Sequence, residues 1–152
     1  VPVRDVDSGR VKVSGEVVVC GGGSSGCETA LALAMDGCKV TIVEKGANES
    51  FAHGMTHITR GMLIALLESN GVTCLGEHVV LSVDDEGVHV GDSQWQEQVL
   101  KADFVVDALG LKPTSSEQYT ELIPEVHVIG DCGRIGNIYR ANQSAFDCAM
   151  EL

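Results

Sequence analysis

The stretch Val17-Val18-Val19-Cys20-Gly21-Gly22-Gly23-Ser24-Ser25-Gly26 decides the fold of this chain. Its first four residues are apolar without polar alternation, which is typical of a strand buried on both faces of a sheet. The next six residues match the pattern G-x-G-x-x-G. Apolar residues then recur at helical spacing, which predicts a helix from Ser24 to about Asp36. A buried strand, a glycine-rich turn and a helix in this order predict the start of a βαβ unit.

Strands and helices continue to alternate along the chain. A second strand is predicted over residues 40–43, a third over 72–75, a fourth over 104–106 and a fifth over 126–129. A helix that opens at Thr56 or His57 lies between the second and third strands, and another covers residues 137–152. This alternation predicts an α/β fold, a Rossmann-like doubly wound parallel sheet of strand order 3-2-1-4-5.

Residues 79–100 break this alternation. Three short apolar runs, at residues 79–83, 88–90 and 96–100, are separated by turn sequences. They predict an antiparallel three-stranded meander, which we expect to be an outlying excursion between strands 3 and 4. The helix after Thr56 is expected to turn four side chains toward the core, namely Ile58, Met62, Ala65 and Leu66.

Charge and composition exclude several functions. The 152 residues carry 10 Lys and Arg against 22 Asp and Glu, a net charge of −12. Such a chain repels nucleic acids and anionic membrane surfaces, so neither is expected as a partner. No apolar run approaches the roughly 18 residues that a membrane span requires. None of the 6 cysteines forms a C-x-x-C pair. We therefore expect buried free thiols in a reducing cytoplasm, and no metal site.

The glycine-rich turn is the candidate binding site. Gly21 permits the tight turn, Gly23 allows a pyrophosphate to approach the backbone, and Gly26 allows close packing of helix and strand. Free N–H groups at the helix N-terminus favour bound phosphate, and the hydroxyls of Ser24 and Ser25 can add donors. With Gly22, these six residues are predicted to bind a dinucleotide.

Three further points in the sequence are assigned to the same ligand. Glu44 ends the second strand, 21 residues after Gly23, where an acid can accept hydrogen bonds from a ribose and repel a 2′-phosphate. Because Lys45 follows but no Arg pair does, NAD or FAD is favoured over NADP. Gly110 and Leu111 follow the fourth strand, and Asp131 follows the fifth, where it could accept from a ribityl or ribose hydroxyl or cap a turn.

No catalytic residue is assigned. The five histidines do not stand beside a convincing set of Ser, Cys and acid. His53 and His57 are spaced i, i+4 without an H-E-x-x-H motif, so we expect a loop and a helix surface. Glu28, one turn into the first helix, could reach the nicotinamide side or remain solvated. Hydride transfer requires positioning more than acid–base groups, since the cofactor carries the chemistry.

The quoted motifs, together with residues 108–113 and Val128-Ile129-Gly130-Asp131-Cys132, resemble those of pyridine nucleotide–disulfide oxidoreductase-type flavoproteins. The chain is most similar to NADH:flavin oxidoreductases that resemble 2,4-dienoyl-CoA reductase and trimethylamine dehydrogenase. The resemblance implies a linker at residues 1–15, an NAD-binding domain at 16–113, and the end of an FAD-binding domain at 114–152. In the whole enzyme of such a family the fifth strand would pair within the FAD-domain sheet; our hypothesis is that in this chain it instead completes the parallel sheet.

This resemblance also implies a function. NADH bound at the glycine-rich turn would deliver hydride to FAD and then to FMN, which belong to the remaining domains of a larger enzyme. The isolated chain is then expected to be inactive, because hydride has no acceptor. Two alternatives stay open: an FAD-binding module of the same superfamily, and a non-catalytic NAD-sensing module. A homodimer through a cut FAD interface is also kept open.

Overall fold

The computed structural model describes the backbone of residues 1–152 and every side chain except that of Thr120. The chain divides into two compact units, Val1–Gly110 and Leu111–Leu152. In the first unit the helices are α1 (Val3–Asp7), α2 (Ser24–Met35) and α3 (His57–Ser69). Its strands are β1 (Glu16–Cys20), β2 (Lys39–Val43), β3 (Thr73–Leu75), β4 (Val79–Asp84), β5 (Gly87–Gly91), β6 (Glu97–Leu100) and β7 (Phe104–Asp107). None of the described helices combines the length and the apolar character that crossing a bilayer requires.

Four strands form a parallel sheet in the order β3-β2-β1-β7. The central strand β1 pairs with β2 and β7 on either side, so that Val18 lies opposite both Thr41 and Val105. Because β1 has a neighbour at each edge and a layer over each face, its residues from Val17 to Cys20 are all buried. The prediction of a parallel α/β sheet beginning 3-2-1-4 is therefore confirmed.

The predicted doubly wound arrangement, with helices on both faces, is wrong. Val17 and Val19 pack with side chains of α2 and α3 on one face of the sheet. Val18 and Cys20 point to the opposite face, where they pack with Val88 and other residues of the meander. Crossovers that step steadily in one direction along a sheet place their helices on the same face. The second face must still be covered, because parallel sheets are buried on both sides.

The meander supplies that cover, so it is a structural layer and not an outlying excursion. Its strands β4, β5 and β6 form an antiparallel sheet in sequence order, as predicted. The middle strand β5 contributes Val88 and Val90, which are completely buried. The first unit therefore has three layers: helices, parallel sheet and antiparallel sheet.

The predicted fifth strand does not form, and the strand order 3-2-1-4-5 is wrong to that extent. Residues 126–129 lie in the second unit outside any strand. The edge of β7 that faces away from β1 instead pairs with Val1 and Pro2. The Val1 amino group donates to Val105 O at 2.7 Å, and Asp107 N–H donates to Val1 O at 2.8 Å. The edge that a fifth strand would need is thus already paired.

Helix α3 begins where the sequence predicts, but it turns a different face inward. The hydroxyl oxygen of Thr56 accepts from the N–H of Thr59 and caps the helix, as N-cap threonines commonly do. Leu63 and Leu67 are the buried residues of the helix. The expected inward residues Ile58, Met62, Ala65 and Leu66 are all exposed, and Ile58 is 76% exposed.

The first 15 residues contain an ordered element where an irregular segment was expected. Helix α1 is tied to α2 by the Thr29 hydroxyl, which donates to Asp7 Oδ1 at 2.6 Å. Val3 and Val6 pack against the core on the helical side of the sheet. That this segment is a linker in a longer protein stays a prediction.

The second unit contains α4 (Glu117–Thr120), a short 3-10 turn (Gly130–Cys132) and α5 (Ile138–Glu151). Asn137 caps α5 by accepting from the N–H of Arg140 at 3.0 Å. The turn packs on α5, where Gly130 N–H donates to the Ser144 hydroxyl at 2.9 Å. Among the side chains described in this unit, none is fully buried. That it represents the end of an FAD-binding domain stays a prediction.

Candidate dinucleotide-binding site

The glycine-rich turn, residues 21–26, joins the end of β1 to the start of α2. Gly21 has a φ of +111°, a conformation that L side chains rarely adopt, and its N–H donates to Val43 O at 2.8 Å. A Cβ at Gly21 would overlap the carbonyl oxygen of Ala108, after β7. Glycine is therefore required at this turn on two grounds, backbone conformation and close packing.

Helix α2 approaches the turn so closely that Gly26 has no room for a side chain. A Cβ at Gly26 would overlap the carbonyl oxygen of Gly21 and lie 3.3 Å from Ala108 Cβ. A Cβ at Gly22 would lie 2.7 Å from the ring of Phe51. Three of the four glycines of the turn are thus packed against protein atoms.

Gly23 differs from the other three glycines, because the space beside it is open. The only atom within 4 Å of a Cβ at Gly23 would be His53 Cε1, at 3.8 Å. Gly23 is the N-cap of α2, so the N–H groups of the first helical turn point out from this position without partners in the helix. Ser24 is half-buried and Ser25 is exposed beside it. An open cradle of N–H donors at a helix N-terminus fits the pyrophosphate of a dinucleotide.

Glu44 lies at the end of β2 and bonds directly to the glycine-rich turn. Its Oε2 accepts from Gly22 N–H at 2.8 Å, and its Oε1 accepts from Gly46 N–H at 2.9 Å. A carboxylate has about four acceptor positions, so two remain for a ligand. Glu44 is half-buried and Lys45 is exposed. The structure therefore places the predicted ribose acceptor beside the predicted pyrophosphate cradle.

Cys27 lies beneath the turn and supports it. Its thiol is completely buried and donates to Gly22 O at 3.2 Å. Burial raises the pKa of the Cys27 thiol to about 11, so the group stays protonated and acts as a donor. Burial, with the nearby charge of Asp107, likewise raises the pKa of Cys20 to about 11. All six cysteines are free as predicted, but only these two are buried, and Cys132 is exposed.

The loop after β2 is a part of the site that the sequence analysis missed. Phe51 and Ala52 are buried against the glycine-rich turn, and Ala52 N–H donates to Gly22 O at 2.8 Å. Arg60 of α3 donates from Nε to Phe51 O at 2.8 Å and from Nη2 to Asn48 O at 3.3 Å. A phenylalanine within a polar loop was the available signal, since the chain has only 3.

The remaining predicted site residues are Gly110, Leu111 and Asp131, to which Glu28 is added as a candidate. Gly110 ends the first unit with a φ of +103°, while Leu111 and Asp131 belong to the second unit. Asp131 is exposed, and its Oδ1 accepts from Gly136 N–H at 3.0 Å, which is the turn-capping role. Glu28 is exposed on α2. Their contact with a cofactor stays a prediction.

A three-layer unit with a parallel sheet of order 3-2-1-7 and a glycine-rich strand-to-helix turn defines a Rossmann-like α/β domain. The chain belongs to the pyridine nucleotide-disulphide oxidoreductase family, whose model matches residues 3–122. The resemblance inferred from the motifs is therefore confirmed.

Two curated relatives match almost the whole chain. It is 34% identical to cinnamate reductase of Clostridium sporogenes over 98% of its length, and 35% identical to NADH oxidase of Thermoanaerobacter brockii over 97%. It spans only 23% of either relative. A solved structure, 6-hydroxypseudooxynicotine amine oxidase from Pseudomonas geniculata N1, superposes with a TM-score of 0.81 at 25% identity, covering 99% of this chain and 24% of that one.

Proposed function

We propose that the chain is the NAD(H)-binding part of a larger FAD- and FMN-dependent oxidoreductase. The observation that carries this proposal is the hydrogen bond between Gly22 N–H and Glu44 Oε2, which joins a ribose acceptor to a phosphate cradle. When bound, NADH would supply the hydride that a flavin accepts. The residues of this chain would bind and orient the dinucleotide.

Each part of the cradle has a separate task in this proposal. The first N–H groups of α2, with the hydroxyls of Ser24 and Ser25, would hold the pyrophosphate above Gly23. The free acceptor positions of Glu44 would take the adenosine ribose hydroxyls, and its charge would repel a 2′-phosphate. Lys45, Gly110 and Leu111 would border the nucleotide. Asp131 would take a ribityl or ribose hydroxyl in the complete protein.

The flavin domains would be supplied by the rest of a longer protein. The relatives are about four times as long as the matched segment, since the chain covers 23% of each. One relative is an NADH oxidase, which supports NADH as the hydride source. We therefore expect the isolated chain to bind NADH without turning it over, and we place the complete enzyme in the cytoplasm. The alternative that the isolated chain forms a homodimer is tested by its sedimentation, which distinguishes a monomer from a dimer.

The proposal is tested by titrating the purified chain with NADH and following nicotinamide fluorescence, with NADPH and FAD as competitors. Saturable NADH binding that NADPH displaces only weakly is expected. Binding of FAD by a chain that does not bind NADH would overturn the assignment and make the chain a flavin-binding module. NADH binding by a chain that is inactive even with added free flavin would support the fragment hypothesis.

A further inference from the structure

We infer that the loop of residues 48–53 is a second wall of the dinucleotide site, and that the imidazole of His53 donates a hydrogen bond to the phosphate held above Gly23. This inference rests on the proposed function, because it names a further residue for the same ligand. Four observations carry it: the anchoring of the loop, its clamp by Arg60, the strain at Ala52 and the position of His53.

The loop is anchored to the glycine-rich turn itself. Ala52 N–H donates to Gly22 O at 2.8 Å, so the backbone of the loop is bonded one residue before the open position. The Phe51 side chain is 2% exposed and fills the space where Gly22 lacks a side chain. Backbone bonding and packing therefore fix the loop relative to Gly22.

Arg60 clamps the loop from helix α3. Its Nε donates to Phe51 O at 2.8 Å and its Nη2 to Asn48 O at 3.3 Å. A planar guanidinium presents both donors in a fixed geometry, whereas the ammonium of a lysine is a compact charge on a flexible stem. Arg60 is thus a positioning residue, which acts on the ligand only through the loop that it holds.

Ala52 adopts a left-handed backbone conformation, with a φ of +54°. The residue is also completely buried. Strained residues persist where surrounding contacts over-determine them, and they cluster at ligand sites. His53 directly follows this residue, and its ring lies near the open side of the glycine-rich turn.

Among the described residues other than the chain neighbours of Gly23, His53 is the one with an atom within 4 Å of a Cβ at Gly23. Its Cε1 would lie 3.8 Å from a Cβ at Gly23, and this carbon stands between the two ring nitrogens. The two ring nitrogens therefore flank the atom that faces the cradle. The side chain is exposed, and among the described side chains its imidazole has no hydrogen-bond or ion-pair partner. A neutral imidazole donates from one nitrogen, and a protonated one from both.

The test measures the affinity of the 152-residue chain for NADH and ADP, both of which carry two linked phosphates. His53→Ala is expected to lower the affinity for both ligands about tenfold, because a hydrogen bond to a charged group is lost. His57→Ala, four residues further on at the exposed start of α3, is the matched control and should leave both affinities unchanged. Gly23→Val, which fills the cradle, should abolish binding of both.

The outcomes separate this inference from the proposed function. If Gly23→Val abolishes binding while His53→Ala changes nothing, the inference fails and the dinucleotide site stands. If His53→Ala weakens NADH but not ADP, the side chain contacts the nicotinamide half and the phosphate contact is refuted. If the unaltered chain binds neither ligand, or Gly23→Val binds as well as the unaltered chain, both proposals fail.

The positioning role of Arg60 is tested in a double-mutant cycle. Arg60→Met should weaken NADH binding several-fold alone, yet add no further loss in a His53→Ala background. Losses that add would mean that Arg60 acts independently of His53. If Arg60→Met does not fold, Arg60→Lys is measured instead. Arg60→Lys should lower the NADH affinity by a smaller factor, and it should cause no further loss of affinity in a His53→Ala background.

Discussion

Glu44 Oε2 accepts a hydrogen bond of 2.8 Å from the N–H of Gly22, which joins the end of β2 to the glycine-rich turn after β1. The second oxygen of the same carboxylate accepts from Gly46 N–H at 2.9 Å. One side chain therefore holds two backbone segments in place and keeps acceptor capacity for a ligand. If Glu44 binds the ribose as proposed, stability and ligand recognition are coupled at this residue.

Glu44→Gln tests this coupling. The amide has one acceptor oxygen instead of two, so a backbone N–H facing it loses its partner, which costs about 1–3 kcal/mol. Thermal unfolding should show this loss, and titrations should show weaker NADH binding with a narrower preference over NADPH. Glu49→Gln removes the same charge from the exposed 3-10 turn Asn48–Ser50 and should change neither quantity. A wider preference for NADH in Glu44→Gln would contradict the assigned role.

Replacing two helical glycines by alanine should change the free energy of unfolding in opposite directions. Gly26→Ala places a Cβ onto the carbonyl oxygen of Gly21, so the turn must shift, and we expect a loss of about 1–3 kcal/mol. Gly61→Ala in α3 meets no atom within 4 Å and should gain about 0.5–1 kcal/mol. Denaturant unfolding of the two variants checks this difference. Equal effects would refute the close approach of α2 to the turn.

Neighbouring leucines of α3 should differ sharply in their contribution to stability. Leu67 is completely buried, whereas Leu66 is 46% exposed. Leu67→Ala should destabilise the chain by roughly 2–5 kcal/mol, since it leaves a cavity in the core. Leu66→Ala should cost at most about 1 kcal/mol. Chemical denaturation measures the free energy of unfolding of both variants. A larger loss of stability in Leu66→Ala than in Leu67→Ala would support the inward helix face predicted from sequence.

The stability of the hairpin formed by β4 and β5 should depend on pH because of Asp84. The Glu86 N–H and the adjacent His89 lower the pKa of Asp84 below its usual 3.8, and His89 Nε2 lies 2.9 Å from Asp84 Oδ2. A carboxyl with a lowered pKa stabilises the fold above its ordinary pKa, and this stabilisation disappears as the pH falls through the lowered value.

Asp84→Asn should therefore be less stable than the unaltered chain at pH 7, and the difference should close as the pH is lowered below 3.8. Urea unfolding midpoints across this range measure it. Asp85→Asn, in the same turn, serves as the matched control and should keep a constant difference from the unaltered chain. A difference for Asp84→Asn that grows toward acid pH would reverse the predicted sign.

Except for α1, the helix and strand positions of the first unit follow from local sequence. The apolar run at Val17 to Cys20, the glycines after it and the cap at Thr56 each specify an element through contacts between near neighbours. Observed bounds such as Ser24–Met35 for α2 therefore lie within a residue or two of those predicted. The cradle could also be predicted, because its function depends on glycines at fixed spacing within one strand-to-helix turn.

Other features depend on which distant surfaces meet. The inward face of α3 could not be read from its sequence, because Ile58, Met62, Leu63 and Leu67 offer two competing apolar stripes. The packing of α3 against the sheet selects Leu63 and Leu67. The apolar segment 126–129 is similarly ambiguous, since a strand forms only where a neighbouring edge is free, and Val1 and Pro2 already bond the edge of β7.

The sequence by itself determined the order of elements from β1 to β7, the parallel sheet around β1, the antiparallel meander and the glycine-rich turn with an acid after β2. These features arise from periodicity and spacing, which act over a few residues. Only the tertiary structure decided that the meander covers the second face of the sheet, that Phe51 and Ala52 pack against the glycine-rich turn, and that Arg60 bonds the loop that carries them. Those contacts join segments far apart in sequence, where burial of apolar surface and pairing of backbone groups, not local pattern, select the partners.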